Sequence, residues 1–78
     1  MTESDFLREF EEILEVDAGS LNSEIKLSEL EEWNSLGVIS FIAMVDDRVG
    51  LTLNARKIQD CTTVRDLMGL LGENLVAS

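Results

Sequence analysis

The segment of this chain with the clearest chemical potential is Asn34, Ser35 and Leu36, which follows Trp33 and opens a largely apolar run ending at Val45. Asparagine is among the most favourable helix N-cap residues, so the pattern predicts a helix that begins at Ser35. Unpaired backbone N–H groups and the positive end of the helix dipole meet in such a first turn. A phosphate carried on the Ser35 hydroxyl would therefore be stabilised there.

The composition argues against catalysis and against a metal centre. The chain has no histidine and a single cysteine, so Ser35 and Cys61 both lack the most common general base. The aspartates do not have the spacing of a calcium-binding loop, and we predict no metal site. A single cysteine is typical of a reducing compartment, and we expect the Cys61 thiol to be buried and unreactive. We therefore expect a protein that is not an enzyme.

Acidic residues dominate the charge. Sixteen Asp and Glu side chains against six Lys and Arg give a net charge of −10, and eleven of the sixteen fall within the first 34 residues. Repulsion makes nucleic acid and anionic membranes poor partners, whereas a basic patch on another protein would be attracted. We interpret four glutamates as the solvent face of a first helix: Glu9, Glu11, Glu12 and Glu15.

Length and hydropathy indicate one small domain outside the membrane. A chain of 78 residues supports a single core, so we expect one domain over residues 1–78, and we expect a monomer. No stretch is long and apolar enough to span a bilayer, and residues 1–5 lack the positive region of a signal peptide. These features predict a cytoplasmic protein.

The first half of the chain predicts one helix and one long connection. Hydrophobic residues at helical spacing predict the helix over residues 4–16, with Thr2 or Ser4 as its cap. The connection covers residues 17–34, which is long for so small a domain and has to be tied down. We expect its apolar residues to be the ties, with the tryptophan packing on the core: Leu21, Ile25, Leu27, Leu30 and Trp33.

The second half predicts three further helices. A second helix is expected over residues 35–49, because Gly50 favours the left-handed backbone conformation that ends helices. Apolar and polar residues alternate over residues 51–53 as in a short strand, but the chain has no second such run to pair with it, so we expect an extended connector. Residues 55–60 can form a short third helix. Capping-box spacing over residues 63–66 precedes a fourth helix. The predicted class is all-α: a four-helix bundle with a long first loop and a short third helix.

The second helix is apolar around most of its circumference, and its apolar residues separate into two stripes. One stripe should face the first and fourth helices: Val38, Phe41, Ile42, Val45 and Val49. The other starts beside Ser35, has Asp47 one turn further on, and consists of Leu36, Ile39, Ser40 and Ala43. Exposed apolar surface rimmed by charge marks a docking site, and central burial of the whole helix is the alternative.

Several segments resemble acyl and peptidyl carrier proteins. These are Trp33-Asn34-Ser35-Leu36, Val45–Leu53 and Thr62–Leu67, which follow the order and the usual separations of that family over residues 27–75. In that family, a serine within Asp-Ser-Leu, often preceded by tryptophan, carries 4′-phosphopantetheine through a phosphodiester bond. Here Asn34 takes the place of the aspartate.

The resemblance implies a role for each matching position. Ser35 would be the attachment site, and the second helix would be the recognition helix for enzymes that load and use the arm. The docking positions would combine apolar contacts with an acidic pair that meets basic residues on partners: Leu36, Ile39, Ser40, Ala43, Asp46 and Asp47. Ser40 and Arg48 stand where carriers of fatty-acid synthesis commonly have acidic residues, which favours a specialised biosynthetic pathway.

Two functions stay open at this level. The first is a freestanding carrier that holds acyl or aminoacyl groups as thioesters on 4′-phosphopantetheine at Ser35, in fatty-acid, polyketide, aminoacyl or cell-envelope biosynthesis. Its partners would be a phosphopantetheinyl transferase, an acyl- or aminoacyl-loading ligase, and downstream acyl-transferring enzymes with basic docking patches. The second is a small acidic helical adaptor or inhibitor with the carrier fold and no prosthetic group, which the change to Asn34 favours.

Overall fold

Helices joined by loops make up the described part of the chain. The structure, a computed structural model, describes residues 1–76, so the predicted 1–78 domain extends slightly beyond it. The helices are α1 (Glu3–Leu14), α2 (Ser35–Val49), α3 (Ala55–Gln59) and α4 (Val64–Leu71), with 3₁₀ turns at Leu27–Glu29 and Gly72–Asn74. Across residues 1–76 there is no β-strand, and no helix is long and apolar enough to cross a membrane. The predicted all-α class, with a long first loop and a short third helix, is confirmed.

Local hydrogen bonds decide where α1 begins and ends. Thr2 is the N-cap: its hydroxyl accepts from the Asp5 amide at 3.0 Å, and the Asp5 carboxylate accepts from the Thr2 amide at 3.5 Å. Hydrogen bonds from the side chain and backbone of Thr2 lower the pKa of the Asp5 carboxyl. The helix ends at Leu14, two residues before the predicted end, because Glu15 adopts a left-handed conformation with φ 58°.

The predicted capping box at the start of α4 is confirmed. The Thr63 hydroxyl accepts from the Asp66 amide at 3.3 Å. In return, the Asp66 carboxylate accepts from the amides of Thr62 and Thr63 at 2.9 and 3.1 Å. These backbone donors stabilise the ionised form and lower the pKa of the Asp66 carboxyl. The start of α4 is therefore determined by residues within one turn of it.

A buried glutamate holds the first part of the long connection. Glu11 is 6% exposed, and its Oε2 atom accepts from the amides of Gly19 and Leu21 at 2.9 and 3.0 Å. The interpretation of Glu11 as a solvent-face residue is therefore wrong: the connection folds back over α1, and its backbone amides need an acceptor there. Glu12 and Glu15 are exposed, as expected, whereas Glu9 is half-buried.

The predicted ties of the connection also contact the core. Leu21 and Leu27 are buried, and the other three apolar residues of the connection are partly buried against the same cluster. The amide of Leu27 donates to the carbonyl of Thr62 at 2.8 Å, and the amide of Arg65 donates to Ser23 at 2.9 Å. The connection is thus held at its start by α1 and at its middle by the segment that leads into α4.

Four aromatic rings form the centre of the core and join α1, α2 and the end of the connection. Phe6, Phe10 and Phe41 are each 0% exposed. Phe41 meets Phe6 at a ring-centroid distance of 5.8 Å and Phe10 at 5.7 Å, both edge to face. Trp33 meets Phe10 at 5.4 Å and Phe41 at 5.9 Å in the same manner. The expectation that Trp33 packs on the core is confirmed.

The inward face of α2 matches the predicted stripe in part. Phe41 and Val45 are fully buried, and Met44 and Gly37 are buried as well, although the prediction left them out. The other predicted members are half-buried: Val38, Ile42 and Val49. The backbone of α2 packs most extensively against α1 and next against α3, whereas the prediction named α1 and α4. The buried side chains of α2 and α4 nevertheless belong to one hydrophobic cluster, as the prediction requires.

Gly37 allows the first turn of α2 to lie against the end of the connection. A Cβ atom at this position would be 3.0 Å from the carbonyl oxygen of Glu32 and 3.5 Å from Cδ2 of Leu14. The first distance is shorter than an ordinary van der Waals contact, so a side chain would push the helix start away from the loop. The absence of a side chain at Gly37 therefore contributes to the position of Ser35, two residues earlier.

We predict that truncating the inward and outward faces of α2 has unequal effects on stability. Phe41→Ala should lower the free energy of unfolding by about 3–5 kcal/mol, because it removes a fully buried ring. Ile39→Ala should lower it by less than about 1 kcal/mol, because Ile39 is 63% exposed. Urea titrations of the two variants measure the difference, and equal losses would contradict this assignment of the helix faces.

We also predict that alanine substitutions at two helical glycines act in opposite directions. Alanine is favoured over glycine in a helix by about 1 kcal/mol. Gly69→Ala should be stabilising, because a Cβ at Gly69 meets no atom within 4 Å. Gly37→Ala should be destabilising, because crowding against the Glu32 carbonyl costs about 1–3 kcal/mol. Thermal and urea unfolding of both variants provide the test, and a stabilised Gly37→Ala would show that this carbonyl moves aside readily.

Candidate functional site

Ser35 is the first residue of α2, and its side chain is exposed. The preceding residue, Asn34, has extended backbone angles (φ −125°, ψ −171°) and is the N-cap. Its Oδ1 atom accepts from the amide of Gly37 at 3.1 Å. Asparagine therefore performs here the capping role for which aspartate is equally suited. The predicted helix start at Ser35 is confirmed.

The start of α2 fits a phosphate ester on the Ser35 oxygen. The first backbone hydrogen bond of the helix is donated by the Val38 amide to the Asn34 carbonyl at 2.9 Å, so the amides of Ser35 and Leu36 precede the helical ladder. They lie at the positive end of the dipole, where an anion is stabilised. Within residues 1–76 the Ser35 hydroxyl makes no hydrogen bond, so a reaction at its oxygen would not have to break one in that part of the chain.

The six predicted docking residues lie along one side of α2. Leu36 and Ile39 are 72% and 63% exposed, which is high for large apolar side chains. Five of the six are exposed: Leu36, Ile39, Ala43, Asp46 and Asp47. Ser40 is half-buried, because it lies on the edge of this side that turns toward α1. Docking itself stays a prediction, but the exposure of these side chains is compatible with it.

An open groove adjoins the site between the end of α1 and the first turns of α2. Its volume is about 360 Å³, and it is lined on the α2 side by Leu36, Gly37 and Ser40. The side chains that close it opposite α2 include Ile13 and Glu15, at the end of α1. Sequence reasoning assigned Leu36 and Ser40 to an apolar docking stripe and did not predict the groove.

Arg48 directs its charge toward α1. Its guanidinium forms an ion pair with the carboxylate of Glu9, and the two side chains are 53% and 20% exposed. An exposed pair of this kind contributes little to stability, at most about 1 kcal/mol. Its main consequence is local: Arg48, the cation that follows Asp46 and Asp47 in α2, pairs with Glu9 of α1.

Cys61 and the acidic side chains add no further chemistry to the site. Cys61 is half-buried rather than buried, and its Sγ donates to the carbonyl of Lys57 at 3.4 Å. Burial, together with the nearby carboxylates of Asp66 and Asp60, raises the pKa of the Cys61 thiol, so the reactive thiolate is disfavoured. Among residues 1–76 no group of three potential metal ligands comes together.

Two features that shape the site escaped sequence reasoning, although each left a signal. Gly37 sits in the first turn of a helix, where glycine is unfavourable by about 1 kcal/mol and so indicates a close approach. Glu11 is four residues after Leu7 and three before Leu14, which places it at the edge of the apolar face of α1. Neither signal identifies the contact partner. Gly37 lies against Glu32, and Glu11 bonds to the amides of residues 19 and 21, only once the chain has folded.

The comparison with protein families agrees with this geometry. A family model described as "Phosphopantetheine attachment site" matches residues 4–71, which include α2, α3, α4 and all of α1 except its first residue. No curated protein and no solved structure matched the chain significantly. Members of the matched family bear covalent 4′-phosphopantetheine and are carriers rather than enzymes. The match covers most of the chain and agrees with the resemblance seen in the sequence. This chain therefore belongs to the family of phosphopantetheine-binding carrier domains.

Proposed function

We propose that this chain carries acyl or aminoacyl groups as thioesters on a 4′-phosphopantetheine arm attached to Ser35. The observation that supports the proposal most directly is the position of Ser35: an exposed hydroxyl at the N-terminus of α2, inside the region that matches the family model. The helix end stabilises the phosphate charge that attachment introduces. Ser40, the other serine of α2, lies more than a turn further on and is half-buried.

Attachment changes one bond at Ser35. The hydroxyl loses its proton to a base of the transferase, its oxygen bonds to the phosphorus of coenzyme A that bears the pantetheine, and 3′,5′-ADP leaves. When bound, the prosthetic group supplies a thiol that holds the carried group as a thioester. Asn34 and Gly37 contribute by keeping the helix start capped and close to the core, so the attachment point stays in one place.

The outward side of α2 is the proposed docking surface for partner enzymes. Carrier domains interact with phosphopantetheinyl transferases and acyl-handling enzymes. Leu36, Ile39 and Ala43 offer exposed apolar contacts next to Ser35, and Asp46 with Asp47 adds negative charge further along the helix. A partner with an apolar patch and a basic rim matches this combination, because opposite potentials guide the encounter and exclude partners of like charge.

We further propose that the partners belong to a specialised pathway. Ser40 and Arg48 replace acidic residues that are common in carriers of fatty-acid synthesis. The pairing of Arg48 with Glu9 supports this interpretation, because Arg48 adds a positive charge to α2 and neutralises the Glu9 carboxylate of α1 at the end of the docking surface. A partner that relies on carboxylates at these positions would therefore bind this surface less well.

The first prediction tests the attachment residue. Incubation with coenzyme A and a broad-specificity phosphopantetheinyl transferase should add one phosphopantetheine mass to the wild-type chain and none to Ser35→Ala. Ser40→Ala is the matched control and should gain the same mass as wild type. Intact-mass spectrometry gives the result, and circular dichroism should show unchanged helix content because the Asn34 cap is retained.

Two outcomes of that experiment would contradict the proposal. A mass gain on Ser35→Ala would place the attachment elsewhere. A wild-type chain that gains no mass would favour the alternative, an acidic helical adaptor or inhibitor without a prosthetic group.

The second prediction tests the acidic pair. Asp46→Lys with Asp47→Lys should lower the initial rate of modification by the transferase about three- to tenfold, because long-range attraction raises association rates. The matched control, Glu24→Lys with Glu73→Lys, makes the same change in net charge at exposed residues outside α2 and should have a smaller effect. Raising the ionic strength should reduce the difference, since screening acts over about 8 Å at physiological salt. Equal rates for the two double variants would argue against docking on α2.

The third prediction concerns Asn34, where the chain departs from the usual Asp-Ser-Leu. Asn34→Asp should change the free energy of unfolding by less than about 1 kcal/mol, since both residues cap a helix well. The added negative charge beside Ser35 should accelerate modification by a broad-specificity transferase that has a basic site. Initial rates with one enzyme decide the question. A slower Asn34→Asp variant would show that asparagine is no handicap.

A further inference from the structure

Residues 48–59, which run from the end of α2 through α3, form a basic segment in an acidic chain. They include Arg48, Arg56 and Lys57 and no Asp or Glu, although acidic residues outnumber basic ones sixteen to six in the whole sequence. Arg48 forms the ion pair with Glu9. Arg56 and Lys57 therefore supply the remaining positive charge of this segment.

The fold directs the two cations of α3 outward. The helix is anchored by Ile58, which is 1% exposed, whereas Arg56 and Lys57 are exposed. The Asn54 side chain caps the helix by accepting from the Lys57 amide at 2.9 Å. After the helix, the Cys61 thiol donates to the Lys57 carbonyl at 3.4 Å. The cations thus project from a helix that is held at both ends.

Neither cation is neutralised by a carboxylate of the chain. Within the described residues 1–76, the ion pairs involve Arg8 and Arg48 and do not include Arg56 or Lys57. Even Asp60, which follows α3 directly, forms no ion pair with them. Cations in the last turn of a helix also interact favourably with its dipole, so the test has to separate that structural role from recognition.

The basic helix is continuous with the proposed docking surface. α3 packs against α2, which carries the exposed carboxylates of Asp46 and Asp47. Two adjacent helices thus present opposite charges to a partner. A partner with basic residues alone is attracted by α2 and repelled by α3, whereas one that also has carboxylates opposite α3 is attracted by both.

We infer that α3 is a second, basic part of the docking surface, and that it fits a partner enzyme with an acidic patch next to its basic rim. The inference rests on the proposed docking of partners along α2 and adds a requirement on the partner's charge pattern. Opposite charges on two helices fix the orientation of the partner, because a rotated partner would bring like charges together.

An acidic peptide tests recognition by α3 directly. The probe is a hexaglutamate peptide, titrated at low ionic strength into the full, isotope-labelled chain without a prosthetic group, and NMR spectra report the backbone amides. The amides of Arg56, Lys57 and Ile58 should shift most, since the acidic remainder of the chain repels the peptide. Arg56→Gln with Lys57→Gln should weaken this binding about fivefold, as expected for the loss of two exposed ion pairs.

Two further variants control for net charge and for helix stability. Lys26→Gln with Arg65→Gln makes the same change in net charge at exposed cations outside residues 48–59 and should bind the peptide as wild type does. Arg56→Lys with Lys57→Arg keeps both charges of α3 and should also bind as wild type. Circular dichroism should show unchanged helix content in all three double variants. A loss of helix content in Arg56→Gln with Lys57→Gln would assign the cations to the stability of α3 and overturn the inference.

A second measurement tests whether α3 lies within the surface that partners contact. A broad-specificity transferase with a basic site is a mismatched partner for α3. Arg56→Glu with Lys57→Glu should therefore raise its initial rate about three- to tenfold, through a lower KM at unchanged kcat. Lys26→Glu with Arg65→Glu is the matched control and should have a smaller effect. Equal rates for the two double variants would overturn the inference.

The peptide titration also separates this inference from the proposed function. A wild-type chain that gains no phosphopantetheine would contradict the carrier role, whereas the titration uses the unmodified chain and decides recognition by α3 independently. Peptide shifts that are spread over the chain, or centred on Lys26 and Arg65, would overturn the inference. Shifts of the α3 amides with protein concentration alone would mean that the acidic α2 of a second copy occupies this surface, and would overturn the assignment to a partner enzyme.

Discussion

The edge-to-face contact of Trp33 with Phe10 and Phe41 is the interaction on which the position of the site depends. Trp33 directly precedes the cap of α2, and its ring reaches two side chains that are fully buried in α1 and α2. The helix start is thus attached to the core through the residue before the cap. Gly37 completes the arrangement from the other side, because it lets α2 touch the carbonyl of Glu32. These contacts hold the start of α2 in one position, which a flexible arm attached there would require.

Much of the fold follows from local chemistry, and this part could be predicted. The capping side chains of Thr2, Asn34 and Thr63 and the left-handed Gly50 each act within one turn of the helix end that they define. The spacing of apolar residues likewise gives the two sides of α2. The start of α2 at Ser35 was predicted in the same way, because a capped helix start beside a serine is visible in a stretch of four residues.

The remainder depends on contacts between residues far apart in the chain, for which no local pattern exists. Glutamate is usually a solvent residue on a helix, and only the return of the connection over α1 converts Glu11 into a buried acceptor. The groove forms only where Ile13 and Glu32 lie next to α2 in the folded chain. The end of α1 was also hard to predict, because the left-handed residue there is Glu15 and not a glycine. The closer backbone approach of α2 to α3 depends on contacts between helices, which periodicity does not encode.

The bonds from Glu11 to the amides of Gly19 and Leu21 have a consequence for the order of folding. They span only eight and ten residues, and a loop of about ten residues closes in roughly 10–100 ns. The first part of the connection therefore assembles together with α1, as one local unit. The bond between Arg65 and Ser23 joins residues 42 positions apart, so its closure has a larger entropic barrier. We expect the long connection to order from its N-terminal end, and its docking onto the segment before α4 to be the late step.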